Sequence, residues 1–193
     1  MNKKLQAKDL ITVGIFSAIY FIVFFAVGML GYVPLLFILL PLYFPIFTAI
    51  PFMLFLTKTK KFGMVTIMAA LCGLLMFVTG HTWMPLATSL ICGLLADLIF
   101  KAGSYESTKC SALGYGVFSI WPIGALLPLW VMRDSYFDYI EGSMGADYAK
   151  AVDKLTPSWI LLVFVGGAFI MGIVGAYLGR KVLKKHFIRA GIV

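Results

Sequence analysis

The chain has 193 residues, 62% of them hydrophobic and only 12% charged. A soluble domain carries about 25% charged residues, so a water-soluble fold is excluded. The net charge of +8 gathers in short clusters between apolar runs rather than in a basic stripe, which argues against a nucleic-acid partner.

Six apolar stretches approach or exceed the ~20 residues that cross a bilayer's hydrocarbon core. They fall at roughly 10–30, 35–56, 62–80, 83–100, 109–132 and 157–179. The chain therefore reads as a single all-α membrane domain over 1–193, a bundle of six transmembrane helices. The first stretch is longer than a signal-peptide core and has no small-residue cleavage site, so it is expected to be a retained helix. The second holds Pro34, Pro41, Pro45 and Pro51. Each proline lacks a backbone donor, so a broken helix or a long connection over 28–45 is one expectation there.

Between the third and fourth stretches stands GHTWMP, residues 80–85, a polar interruption with a turn-forming glycine and a proline. Near the inner end of the fourth lies Asp97, one turn before Lys101; a snorkelling Asp97–Lys101 pair is the expected arrangement, with an intramembrane proton-relay acid as the other reading. The segment 133–156 is the only sizeable hydrophilic piece and reads as an external loop. Within it Tyr148, Val152 and Leu155 would share one face of a short helix. Thr156 and Pro157 suit the start of the last span.

Loop charges set the orientation. With the amino terminus inside, the cytoplasmic segments hold Lys3, Lys4, Lys8, Lys58, Lys60, Lys61, Lys101, Lys109, Arg180, Lys181, Lys184, Lys185 and Arg189. That is thirteen of sixteen basic residues, leaving Arg133, Lys150 and Lys154 outside. The positive-inside rule is met at every crossing, both termini are expected in the cytoplasm, and GHTWMP faces outward.

Enzyme signatures are missing. There is no GxxxxGK[ST] loop, no HExxH pair and no GxSxG elbow. Cys72, Cys92 and Cys110 lack metal-ligand spacing. The expectation is a non-enzyme with no catalytic residues, no metal and no cofactor. Small residues recur every four positions instead, as Gly14 and Ala18, Ala69 and Gly73, and Ala168, Gly172 and Ala176. Such spacing serves packing within a bundle or docking of other membrane helices.

Polar and aromatic groups cluster at the expected outer mouth: His81, Thr82, Trp83, Trp121, Arg133, Asp134, Tyr136 and Trp159. Aromatic walls with a few convergent polar groups suit a small heterocyclic ligand. For His81 and Trp83 the alternative is turn and interfacial-belt duty.

The segments KFG at 61–63, LLMFVTGHTW at 74–83, GLLADLI at 93–99, WPIGALLPLWVMRDSYF at 121–137 and the ending KKHFIRAGIV resemble the Trep_Strep group. That group is grouped with the MptD-type S components of energy-coupling factor (ECF) importers, and the similarity covers nearly the whole chain. The resemblance implies a protein of the bacterial cytoplasmic membrane that captures a vitamin-like micronutrient from outside, under external loops. It implies a T subunit and two ATPases as partners, with ATP held only by the ATPases, and toppling in the membrane for release. Gly14 and Ala18 stand where the family docks its T subunit through an AxxxA motif; glycine replaces the first alanine here. Two other readings stay open: a stand-alone carrier or channel, and a lipid-modifying membrane enzyme. The lack of a three-plus-three repeat and the near absence of midplane charge count against the former, and the lack of a recognisable catalytic cluster counts against the latter.

Overall fold

In hydrocarbon a backbone must satisfy its own polar groups, and a helix does so within one segment. The computed structural model describes residues 4–187, so Lys3, Arg189 and the last residues of KKHFIRAGIV lie outside the described residues. The described residues are helical, with no strand among them. Helix α1 runs Ala7–Gly28 and continues into a 3₁₀ turn, Met29–Tyr32. Helix α2 is Pro34–Lys58, α3 is Met64–Val78 and α4 is Met84–Ala102. Helix α5, Thr108–Phe118, is followed by a 3₁₀ turn at Trp121–Ala125 and a single turn, α6, at Pro128–Val131. Two short helices, α7 (Arg133–Met144) and α8 (Ala146–Leu155), precede α9, Ile160–Val182.

Four helical stretches are long and apolar enough to cross a membrane: Ala7–Tyr32, Pro34–Lys58, Met84–Ala102 and Ile160–Lys185. Helix α3, at 15 residues, is shorter. The expected fifth span, 109–132, is not one helix. Pro122 and Pro128 withhold backbone donors and disfavour helical geometry in the residues before them, which splits the stretch into α5, the 3₁₀ turn and α6.

The proline-rich segment behaves in the opposite way. Helix α2 is continuous over 25 residues with Pro41, Pro45 and Pro51 inside it. Pro34 occupies its first turn, where a missing donor costs nothing. Hydroxyl groups reinforce the backbone around the prolines: Tyr115 donates to the Pro45 carbonyl at 2.7 Å, Tyr43 to Leu36 at 3.0 Å and Thr48 to Phe44 at 2.7 Å. Neighbouring side chains of this kind are what let membrane helices tolerate proline.

Helix α2 packs between α1 and α9, α3 pairs with α4, and α5 wedges between α4 and α9. Most small residues serve these contacts. A Cβ on Gly172 would lie 2.6 Å from the Ser119 hydroxyl and 2.8 Å from the Gly116 Cα, so α9 and α5 touch at backbone distance. Ala69, Ala168 and Ala176 are fully buried. The Gly14–Ala18 pair differs, because both are exposed on α1 and nothing stands within 4 Å of a Cβ on Gly14.

At the end where α1 begins, Lys61 pairs with Asp9 at 2.7 Å and tethers the α2–α3 connection to the first helix. Asp97 lies at this same end, fully buried. Its expected pairing with Lys101 is replaced by another. Asp97 Oδ2 accepts from the Gly63 amide (2.8 Å), the Thr66 amide (3.2 Å) and the Thr66 hydroxyl (3.0 Å), while Oδ1 accepts from the Tyr105 hydroxyl (2.7 Å). The carboxylate caps the first turn of α3 from a neighbouring helix, satisfying amides that a helix start leaves unpaired. Lys101 sits instead over the Phe62 ring, 5.0 Å from its centroid.

Candidate functional site

The opposite end holds a cavity of about 310 Å³, at the lower limit of small-molecule pockets. One wall is the α1 terminus and its 3₁₀ turn, with Phe24, Gly28, Met29 and Tyr32. A second is the start of α2, with Phe37, Leu40, Pro41 and Phe44. Met76 and His81 reach in from the α3–α4 connection, and Pro122, Ala125 and Leu126 from the 3₁₀ turn after α5. Tyr136 and Met144 of α7 and Tyr148 of α8 complete the lining.

Aromatic packing builds the base. Phe24 stacks on Phe44 with ring centroids 4.3 Å apart, and Trp121 packs behind Phe24 at 5.1 Å. Trp121 is itself fully buried, and its indole N–H donates to the Tyr20 hydroxyl at 3.3 Å.

The segment expected to be an external loop is a pair of helices that closes this end. Gly145, at φ 91°, adopts the left-handed conformation that a side chain would resist, and so permits the sharp change of direction between α7 and α8. Helix α8 is amphipathic: Val152 and Ala149 are buried, Tyr148 and Leu155 are partly buried, and Lys150, Asp153 and Lys154 are exposed. Tyr148, Val152 and Leu155 pack with Ile38, Leu129, Ile140 and Phe164 in a small core of their own. The Tyr148 hydroxyl donates to the Gly31 carbonyl at 2.5 Å, linking α8 to the turn after α1.

The eight mouth residues named from sequence do not form one site. His81 and Tyr136 line the cavity, while Trp121 supports its base from behind. Thr82 stands beside His81 with a buried hydroxyl that has no hydrogen-bond partner among the described residues. Arg133 belongs to a separate recess with Trp130, Thr156 and Pro157. There its guanidinium donates to the Leu129 and Thr156 carbonyls, at 3.0 and 3.3 Å, pairs with Asp153 and stacks over Phe137. Asp134 is exposed in the first turn of α7, and Trp83 and Trp159 are 63% and 64% exposed, away from the cavity. The lining that sequence reading missed includes Phe24, Phe37, Phe44, Met76, Met144 and Tyr148. Only Tyr148 carried a signal, as a member of the apolar face of α8.

Among the described residues, none that lines the cavity carries a carboxylate, ammonium or guanidinium group. His81 is exposed as a residue, yet desolvation of its ring at the cavity wall lowers its pKa from the ordinary value, which favours the neutral ring. Burial also pushes the Tyr136 and Tyr148 phenols up to about 12, so both stay protonated. Aromatic faces offer a cation about 0.5–2 kcal/mol, whereas desolvating an ion costs several kcal/mol. The aromatic lining alone does not offset that cost.

Long apolar helices, a polar-tipped aromatic cavity at one end and an amphipathic helical cover define an integral membrane protein. The family model for "Hypothetical bacterial integral membrane protein (Trep_Strep)" matches residues 7–189, and the chain belongs to that family. No curated protein and no solved structure matches it.

Proposed function

We propose that this chain is the substrate-binding S component of an ECF-type importer, working with a T subunit and two ATPases. The observation that carries the reading is the partly open cavity beneath α7 and α8, at the end where the chain has its aromatic and polar groups. In this reading α3 and the interrupted α5–α6 stretch are two further crossings, giving six. The positive-inside rule then puts both termini in the cytoplasm and the cavity at the outer face. The substrate enters from outside, α8 covers it, and the Tyr148–Gly31 bond holds the cover closed.

The exposed Gly14–Ala18 face supports the partner assignment. Every other small-residue pair named from sequence is consumed by packing within the bundle, while this one leaves backbone accessible to a foreign helix. The sequence has no phosphate-binding loop of its own, so ATP would bind only to the partner ATPases, and this chain would need no cofactor and do no chemistry.

Affinity purification from the source membrane tests this. A T subunit and two ATPases should copurify in fixed proportion. Recovery of the folded chain without them, under conditions that keep other membrane complexes intact, contradicts it.

A further inference from the structure

We infer that the cavity takes an uncharged, flat heterocycle carrying at least one N–H or O–H donor. This deepens the proposed function and rests on its reading of the cavity as the substrate site. Three observations lead to the ligand class.

First, the lining has no formal charge to neutralise a charged ligand. The nearest cationic candidate by sequence, Arg133, is committed to Asp153 and two carbonyls in a different recess. An ion placed here would lose its hydration without gaining a counter-charge.

Second, the lining is largely aromatic: Phe24, Phe37, Phe44, Tyr136 and Tyr148 border the cavity, and Phe24 and Phe44 stack on each other at its base. Planar π-systems gain most from such surfaces.

Third, the directional groups are few and their polarity can be worked out. The Thr79 hydroxyl gives its proton to the Met76 carbonyl at 2.9 Å. Its oxygen is therefore open to accept in the 3.5 Å contact with His81 Nδ1, which suits the tautomer with its proton on Nδ1. A neutral His81 then has Nε2 as a bare acceptor, calling for a donor on the ligand. The Tyr148 hydroxyl is engaged by Gly31, whereas the Tyr136 hydroxyl has no protein partner among the described residues. Tyr136 can give or take one further hydrogen bond.

Binding to the purified full chain in lipid nanodiscs tests the inference, by calorimetry with four indoles of one ring size. Indole-3-methanol is neutral with donors, indole-3-methanamine is a cation and indole-3-carboxylate is an anion. The fourth, 1-methyl-3-(methoxymethyl)indole, is neutral without a donor. Indole-3-methanol should bind at least about tenfold more tightly than either ion, and roughly three- to tenfold more tightly than the donorless compound. Tyr136→Phe and His81→Ala, each confirmed as folded by thermal melting, should weaken indole-3-methanol by similar factors. Four results overturn the inference: an ion binding as tightly, the donorless compound binding equally, no saturable binding by any member, or unchanged binding in both variants. The S-component assignment fails separately. A neutral preference without partner copurification contradicts that assignment alone, and partner copurification with a preference for an ion contradicts the ligand class alone.

Discussion

Tyr148 and Gly31, 117 residues apart, are joined by a 2.5 Å hydrogen bond from phenol to backbone carbonyl. Among the described residues it is the one hydrogen bond between α8 and the turn after α1, and Tyr148 also lines the cavity. Tyr148→Phe keeps the ring and removes the donor, leaving the carbonyl of the buried Gly31 unpaired. The expected cost is about 1 kcal/mol, local to the cover. Hydrogen exchange should quicken in 146–155 and in 29–33 while α3 and α4 stay unchanged, and bound indole-3-methanol should leave faster.

Asp97 and Lys101 make a second pair of predictions. Asp97→Ala deprives two backbone amides and two hydroxyls of their acceptor and should cost about 2–4 kcal/mol. Asp97→Asn should cost less, because its carbonyl can serve the α3 amides while its amide faces the Tyr105 oxygen. Lys101→Ala loses a single contact to Phe62 and should cost under about 1 kcal/mol. Melting temperatures of the three proteins in one detergent would check the order. Equal losses at 97 and 101 would restore the ion pair.

Two glycines on different helices should respond in opposite ways. Gly172→Leu drives a side chain into Ser119 and Gly116 and should destabilise the chain by at least about 1–3 kcal/mol. Gly14→Leu meets nothing within the chain, so its melting temperature should hold. Under the proposed function it should nevertheless abolish copurification of the T subunit. A Gly14→Leu protein that retains its partners would move the docking face elsewhere.

His81 predicts a pH response of definite sign. Partial desolvation of this exposed residue lowers its folded pKa below the ordinary 6.5, so between those two values the unfolded chain binds more protons than the folded one. Stability is complete above 6.5 and is lost as pH falls through that window. Binding follows the folded value: affinity for indole-3-methanol should be level from pH 8 to 6.5 and decline only at more acidic pH, when Nε2 becomes protonated. In His81→Gln the decline should vanish. Calorimetry of both proteins between pH 5 and 8 would show it.

Much of the architecture was legible because lipid imposes simple rules. Apolar runs located the helices to within a few residues, and α2, α4 and α9 start and stop close to the expected limits. The interrupted fifth stretch was misread because its hydrophobicity is continuous while Pro122 and Pro128 divide its hydrogen bonding. Asp97 was misassigned for a related reason. Lys101 is visible one turn away in sequence, whereas the amides of Gly63 and Thr66 become neighbours only when α3 packs on α4. At the mouth, His81 and Tyr136 met across 55 positions, but Trp83 and Trp121 went to opposite fates, one exposed and one fully buried. Tryptophans in a membrane chain serve the interface and the core equally well. The cavity-forming phenylalanines were invisible for the same reason, since nothing in an apolar run separates a ligand-facing ring from a lipid-facing one.

The most direct measurement is uptake of the chain's own copurifying small molecule, identified by mass spectrometry, into proteoliposomes. Vesicles containing this chain alone should bind the molecule without accumulating it. Accumulation should appear only when the T subunit and ATPases are present with ATP. Sustained accumulation by the chain alone would contradict the account and make it a stand-alone carrier.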